Sequence, residues 1–194
     1  MVRRDAAARA IEDFLRALGH EPTGDLEGTG ERVADAWADD LLEGEAIDAA
    51  AVLREGAIAA SEGAAGLVMI RDLAVTTMCP HHLLPAHGLC TVAYLPGERI
   101  AGIGTLAHVV DALSRRLTLQ ERIGEGVVAL LAAELGARGA LCRLALTHSC
   151  LIARGERKTG AVVETLAVSG SFAHPSSDRD LAFAALHARP GPWG

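Results

Sequence analysis

The sequence predicts an α+β domain in which four antiparallel strands are backed by two helices and preceded by a helical arm. Apolar residues recur at helical spacing in the first part of the 194-residue chain. From Leu67 onward the pattern becomes strand-like, and two consecutive helical segments separate the first pair of strands from the second. This order is typical of an α+β layer rather than of alternating βαβ units.

The amino-terminal arm, residues 1–62, is predicted to be helical. Apolar side chains at helical spacing predict a helix over residues 5–18, which Gly19 closes. Thr29 is the predicted N-cap of a second helix, and the alanine-rich residues 46–61 predict a short third helix.

The central domain, residues 63–188, carries the predicted sheet. Its first two strands are predicted over residues 67–78 and 88–95, which a turn connects. A helix is predicted around residues 106–113, where apolar residues recur at i, i+3, i+4 and i+7. Residues 118–121, Thr-Leu-Gln-Glu, have the pattern of a capping box at the start of the second helix.

The last two strands complete the sheet. They are predicted over residues 140–153 and 161–169, and residues 177–178 are predicted to cap a final short helix. Residues 189–194 are predicted to form a flexible tail. A sheet of four strands has two edges that another copy of the chain would cover, so we expect a homo-oligomer.

The composition limits the kind of partner. The formal net charge is −7, which argues against a nucleic-acid partner because phosphate backbones require a basic surface. No apolar run is long enough to span a bilayer, and the amino terminus does not resemble a secretory leader. We therefore expect a soluble cytoplasmic protein without a membrane partner. Because only Lys158 among 18 basic residues is a lysine, a phosphate-bearing ligand would have to meet a local group of arginines.

Two short segments carry the most informative chemistry: Cys-Pro-His-His at residues 79–82 and His-Ser-Cys at residues 148–150. In the first, proline restrains a tight turn that lets the cysteine and the last histidine converge. In the second, the histidine and the cysteine are two residues apart and would project from the same face of an extended strand. The spacing thus predicts three metal ligands, which are Cys79, His82 and Cys150.

A zinc ion with three protein ligands keeps a fourth position for water, whose pKa falls to about 7 on the metal, so the ligand set predicts hydrolysis. His81 and His148 lie beside the ligands and are not needed for coordination. Adjacent imidazoles are hard to order from sequence, however, and His81 could be the ligand in place of His82.

Two other interpretations use the same cysteines. Cys90 or Cys142 could supply a fourth ligand and close the site, although both lie in apolar strand-like runs where a cysteine is usually a small buried hydrophobe. Cys79 and Cys150 could instead form a disulfide, which a cytosolic location disfavours.

Four motifs in the same chain order resemble those of the GTP cyclohydrolase I family. They are TGERVA at residues 29–34, MCPHHLLP at 78–85, QER at 120–122 and HSCLIARGERK at 148–158. The similarity runs from about residue 29 to residue 183. The resemblance implies a tunnelling fold, in which strands from several subunits close a barrel, and a homodecamer with active sites between subunits.

The same resemblance implies a zinc-dependent hydrolase that opens the imidazole ring of GTP, releases formate and yields 7,8-dihydroneopterin triphosphate. No step requires a redox cofactor. Cys79, His82 and Cys150 take the places of the zinc ligands. His81 and His148 take the places of the acid/base residues.

The resemblance also assigns substrate contacts. Glu121 takes the place of the carboxylate that accepts hydrogen bonds from the guanine ring N–H and amino group, with Gln120 beside it. Glu121 could otherwise serve only as the acid of the capping box. Arg32 and Arg154 match family arginines that meet the triphosphate, although Arg32 could merely lie on the first turn of its helix.

One group of residues departs from the family pattern. Gly104, Thr105 and His108 stand where the family usually has serine, lysine and arginine against the phosphates. Either the two matched arginines, with Arg157, Lys158 and His108, suffice for the triphosphate, or the chain is a paralogue that acts on a guanine nucleoside or lower phosphate. Arg157 and Lys158 could alternatively form only a solvated turn. A non-catalytic tunnelling-fold scaffold remains the third interpretation.

Overall fold

The computed structural model describes residues 2–60 and 66–188 and has an α+β architecture, as the sequence predicts. The predicted boundary between residues 62 and 63 and the predicted tail over 189–194 lie outside the described residues. The helices are α1 Arg4–Ala17, α2 Thr29–Ala36, α3 Ala49–Glu55, α4 Ile103–Ser114, α5 Gln120–Leu135, α6 Ser149–Ile152 and α7 Ser177–His187. The strands are β1 Ala57–Ala59, β2 Val68–Met78, β3 Pro85–Leu95, β4 Arg99–Ala101, β5 Gly139–His148 and β6 Val163–Gly170.

The main sheet has four antiparallel strands in the order β2-β3-β5-β6. Its register passes through Thr76 opposite His87 and Ala86 opposite His148, so the ends of β2, β3 and β5 that bear the site lie side by side. One face of the sheet packs on α4 and α5 through a core that includes Tyr94, which is fully buried. This face and its two helices form the predicted layer.

The helical arm differs from the prediction in its caps and its length. Gly28, in the left-handed region at φ 71°, precedes α2, and Thr29 is already its first residue and makes no capping hydrogen bond. The third helix ends at Glu55, because the next residues form β1 and pair with β4 in a two-stranded sheet. The predicted helix over 46–61 is therefore too long. Its N-cap is Asp48, whose carboxylate accepts from two backbone N–H groups.

Two boundaries in the central domain also differ. The predicted capping box at 118–121 is wrong, since α5 begins at Gln120 after Leu119, without a side-chain cap. The predicted strand over 140–153 ends at His148, and the chain then turns into the single helical turn of α6. At α7 the capping side chain is Ser176 rather than residues 177–178, because its hydroxyl oxygen accepts from the N–H of Arg179.

Over the described ranges, none of the helices has both the length and the apolarity needed to cross a membrane.

Candidate functional site

The connection between β2 and β3 places the first two predicted metal ligands. The backbone N–H of Cys79 donates to the carbonyl of Leu84 over 3.0 Å, and the N–H of Leu83 donates back to the carbonyl of Cys79 over 2.9 Å. Leu83 lies in the left-handed region at φ 53°, which an L-residue rarely adopts. The tight turn that results leaves Sγ of Cys79 3.8 Å from Nδ1 of His82.

Cys150 reaches the same point from the far end of β5. It lies in α6, so the expectation that His148 and Cys150 share one face of a strand is wrong. The helical turn redirects the chain immediately after β5 and brings the thiol to the hairpin. The ligand atoms of Cys79, His82 and Cys150 all lie within 4.8 Å of one another.

The three side chains fit a zinc ion. Zn–S and Zn–N bonds in a tetrahedral site place neighbouring ligand atoms about 3.5 to 3.8 Å apart, which agrees with the separation of Cys79 and His82. Burial raises the pKa of the Cys150 thiol, and the neighbouring Cys79 raises it further. Two sulfurs this close ionise together only when a cation balances their charge, so the cluster is suited to a metal that binds thiolates.

The competing uses of the cysteines are not seen. Cys90 and Cys142 are fully buried in the core with their sulfurs 3.5 Å apart, and neither belongs to the ligand group. Cys79 and Cys150 are both free thiols. His81 is exposed and outside the three-ligand group, so the geometry favours His82 as the histidine ligand.

His148 is held from behind by Gln120. Its Nε2 lies 2.8 Å from Oε1 of Gln120, a side chain that is only 3% exposed. Burial lowers the pKa of His148, while the negative charge of Glu121 opposes this by a smaller amount. The imidazole is therefore held in the neutral form more strongly than a histidine in water.

Glu121 has no structural duty at the start of α5. Because the helix begins one residue before it, after Leu119, Glu121 is not the acid of a capping box. Its side chain is exposed and borders the same cleft as His148. A carboxylate in this position is free to accept hydrogen bonds from a ligand.

These residues surround one cleft of about 210 Å³. Its walls include the predicted residues Cys79, His81, His82, Gln120, Glu121, His148 and Cys150. They also include Thr77, Thr118, Leu119 and Val163, which the sequence motifs did not indicate.

The predicted phosphate-binding residues do not border this cleft within one chain. Arg32 is exposed on α2 and donates to the hydroxyl of Thr29 over 3.0 Å. Arg154 is the nearest in effect, since its charge opposes the rise in the pKa of Cys150. His108 is exposed on α4, and Arg157 and Lys158 are exposed in the loop after α6.

The fold and the site together define an α+β protein whose cleft combines a three-ligand metal group with a buried histidine and an unpaired carboxylate, an arrangement typical of metal-dependent hydrolases. The family model for GTP cyclohydrolase I matches residues 7–187. The chain belongs to this family of hydrolases.

Curated relatives agree with that family. A protein of Leifsonia xyli named GTP cyclohydrolase 1 is 40% identical over 173 residues, which cover 89% of this chain and 90% of the relative. Proteins of the same name from Chromobacterium violaceum and Rhodopirellula baltica are 40% and 38% identical and cover 87% and 84% of this chain, with 82% and 70% of the relatives covered. Among solved structures, the archaeosine synthase QueF-Like in the apo form aligns with a TM-score of 0.45 at 19% identity, over 54% of this chain and 94% of that chain.

Proposed function

We propose that this protein hydrolyses the imidazole ring of the guanine in GTP, releasing formate and yielding 7,8-dihydroneopterin triphosphate. Membership of the GTP cyclohydrolase I family supports this activity. The observation that carries it is the cleft, where a three-ligand metal group, His148 and Glu121 converge from four separate elements of the chain.

Cys79, His82 and Cys150 would hold the zinc ion, which supplies a Lewis acid and lowers the pKa of water when bound. Thiolate ligands persist in a reducing compartment, which agrees with the expected cytoplasmic location. Glu121 positions the base by accepting hydrogen bonds from the guanine ring N–H and amino group.

His148 and His81 exchange protons with the ring nitrogens and the leaving group. A base whose ring nitrogen is protonated is more electrophilic at the carbon between its imidazole nitrogens, so proton donation here assists attack by water. His148 is partly buried and anchored, whereas His81 is exposed at the mouth of the cleft. The two histidines are therefore suited to different steps.

The size of the cleft favours a site completed by a second copy of the chain. A volume of about 210 Å³ is below the roughly 300 Å³ that begins the usual range for small-molecule sites. We propose that it receives the base, while Arg154, Arg157, Lys158, Arg32 and His108, from this copy or a neighbour, meet the phosphates.

The sheet edges support the same assembly. β2 and β6 are the edge strands of the main sheet, and Leu89 and Leu166 are 48% and 47% exposed on it. Unpaired strand edges beside exposed leucines favour pairing with another copy. We propose the tunnelling-fold barrel and a homodecamer as the form in which these edges are covered. Light scattering coupled to size-exclusion chromatography tests the subunit count.

The activity is tested by incubating zinc-loaded protein with GTP and measuring formate and oxidised pterin fluorescence. His148→Ala should abolish turnover while zinc content, measured by mass spectrometry of the metal, stays unchanged. His174→Ala is the matched control, because His174 is exposed away from the cleft. Full activity of the His148→Ala protein would contradict the proposal, and a wild-type protein that binds zinc but never releases formate would favour the scaffold interpretation.

A second candidate function, hydrolysis of a guanine nucleoside or lower phosphate, is favoured by the start of α4. Thr105 stands where the family usually has lysine, and its hydroxyl is directed at the carbonyl of Gly56 over 3.4 Å. Gly104 offers no side chain, so His108 is the ionisable group at these three positions. Comparing the specificity constants for GTP, GDP, GMP and guanosine separates the two candidates, and a strong preference for GTP would exclude the second.

A further inference from the structure

Gln120 is buried, although it lies beside a residue proposed to bind the substrate. We propose that Gln120 is a positioning residue, which holds His148 in the tautomer protonated at Nε2 and leaves Nδ1 to exchange protons, and that it does not contact the substrate. This inference rests on the proposed function for the role of His148 in the reaction, but the tautomer can be measured without any turnover.

The orientation of the Gln120 amide follows from its neighbours. Its Nε2 lies 3.2 Å from the carbonyl oxygen of Leu144, 3.0 Å from that of Val163 and 3.1 Å from the hydroxyl of Thr165. Backbone carbonyls can only accept hydrogen bonds, so the end of the amide that faces them must be the NH₂ group. The opposite end, which faces His148, must be the carbonyl oxygen.

That orientation determines the proton on the imidazole. The Gln120 oxygen can only accept, and it lies 2.8 Å from Nε2 of His148, so Nε2 must carry the hydrogen. In a neutral ring Nδ1 is then the acceptor. The hydrogen bonds found across the described residues include none to Nδ1. A proton can be gained or lost at Nδ1 while the Nε2–H bond to Gln120 stays in place.

Gln120 is itself fixed to the elements that carry the metal ligands. The chain just before it pairs with the end of β2, where the N–H of Met78 donates to the carbonyl of Arg116 and the N–H of Thr118 donates to the carbonyl of Met78, each over 3.2 Å. Met78 directly precedes Cys79. The amide thus ties the histidine on β5 to the hairpin that holds two ligands, and its 3% exposure leaves no surface for a substrate.

The Gln120→Met variant removes both ends of the amide at similar volume. We expect kcat for GTP to fall about 100-fold, within the range usual for losing a well-placed acid/base group, while KM and zinc content stay unchanged. Thr165→Val, which removes one of three acceptors and keeps the amide, should cause a smaller loss of kcat. A residue that touched the base would instead raise KM and change the discrimination between GTP and ITP, which lacks the 2-amino group. That outcome would overturn the inference.

The tautomer is read directly from magic-angle-spinning ¹⁵N spectra of the zinc-loaded, full-length protein with labelled histidine. The chain has eight histidines, and the His148 signals are those missing from the His148→Ala spectrum. We expect a protonated Nε2 and an unprotonated Nδ1 in the wild type, and a mixture of tautomers in Gln120→Met. Protonation of Nδ1 in the wild type would overturn the assignment. A protein with no cyclohydrolase activity but with the Nε2–H signal would contradict the proposed function and still support the assignment.

Discussion

The sulfur of Cys79 lies 3.8 Å from Nδ1 of His82 because the backbone of Cys79 is bonded to both Leu83 and Leu84 across the hairpin turn. The turn therefore prepares two ligands before the third, Cys150, arrives from α6. A metal bound here would connect β2, β3 and α6, so its removal should loosen the end of the sheet as well as the cleft.

Replacing Cys150 with serine should remove most of the bound zinc. An alcohol does not ionise at neutral pH and is a poor zinc ligand, whereas a thiolate is a strong one. Metal content per chain, measured after dialysis, checks this expectation. Cys142→Ala is the control, because Cys142 is buried in the core and should leave the metal content unchanged. Equal zinc in the Cys150→Ser and wild-type proteins would refute the ligand assignment.

Cys142→Ser should lower the free energy of unfolding more than Cys142→Ala does. Cys142 is fully buried with its sulfur 3.5 Å from that of Cys90, so serine would place a hydroxyl in an apolar core. A buried hydroxyl without a strong partner costs about 1 to 3 kcal/mol. Urea unfolding of the zinc-loaded proteins measures the difference. If serine were as well tolerated as alanine, the pocket around Cys142 would have to contain a hydrogen-bond partner.

Glu121→Gln should lower kcat/KM for GTP by roughly 10- to 100-fold with zinc content unchanged. The substitution replaces a charged acceptor with an amide, and a hydrogen bond to a charged group contributes about 1.5 to 3 kcal/mol. Glu125→Gln is the matched control, since Glu125 is exposed one turn further along α5 and does not border the cleft. Equal losses in the two variants would show that the effect is not specific to the substrate.

Gly88→Ala should destabilise the sheet by several kcal/mol, among the larger effects of single substitutions. An added Cβ at Gly88 would overlap the backbone carbonyl of Ala145, so β3 and β5 would have to separate. Gly104→Ala is the contrasting change. No atom lies within 4 Å of its added Cβ, and alanine in a helix interior is favoured over glycine by about 1 kcal/mol. Thermal unfolding of the two variants should therefore shift in opposite directions.

The order of strands and helices could be predicted from periodicity because each element buries one apolar face. The predicted helix over 5–18 corresponds to α1, and Gly136 at φ 62° follows α5. The ends of elements were harder to predict. Thr29 and Thr118 have the chemistry of N-caps, yet neither caps a helix, because each cap position is set by where the neighbouring backbone is already paired.

By itself, the sequence determined the class of fold and the three candidate ligands, since residue types and spacing are local properties of the chain. It could not show how Cys150 reaches the hairpin. The short α6 turn after β5 does this, whereas an extended strand was expected.

Only the tertiary structure decided the role of Gln120. In the motif it stands beside Glu121 and has the same prospects as a substrate contact. Its burial against Leu144, Val163 and Thr165 depends on strands that lie 24 to 45 residues further along the chain. The direction of an amide is set by the donors and acceptors that packing brings to it, and contacts between such distant residues leave no local pattern in the sequence.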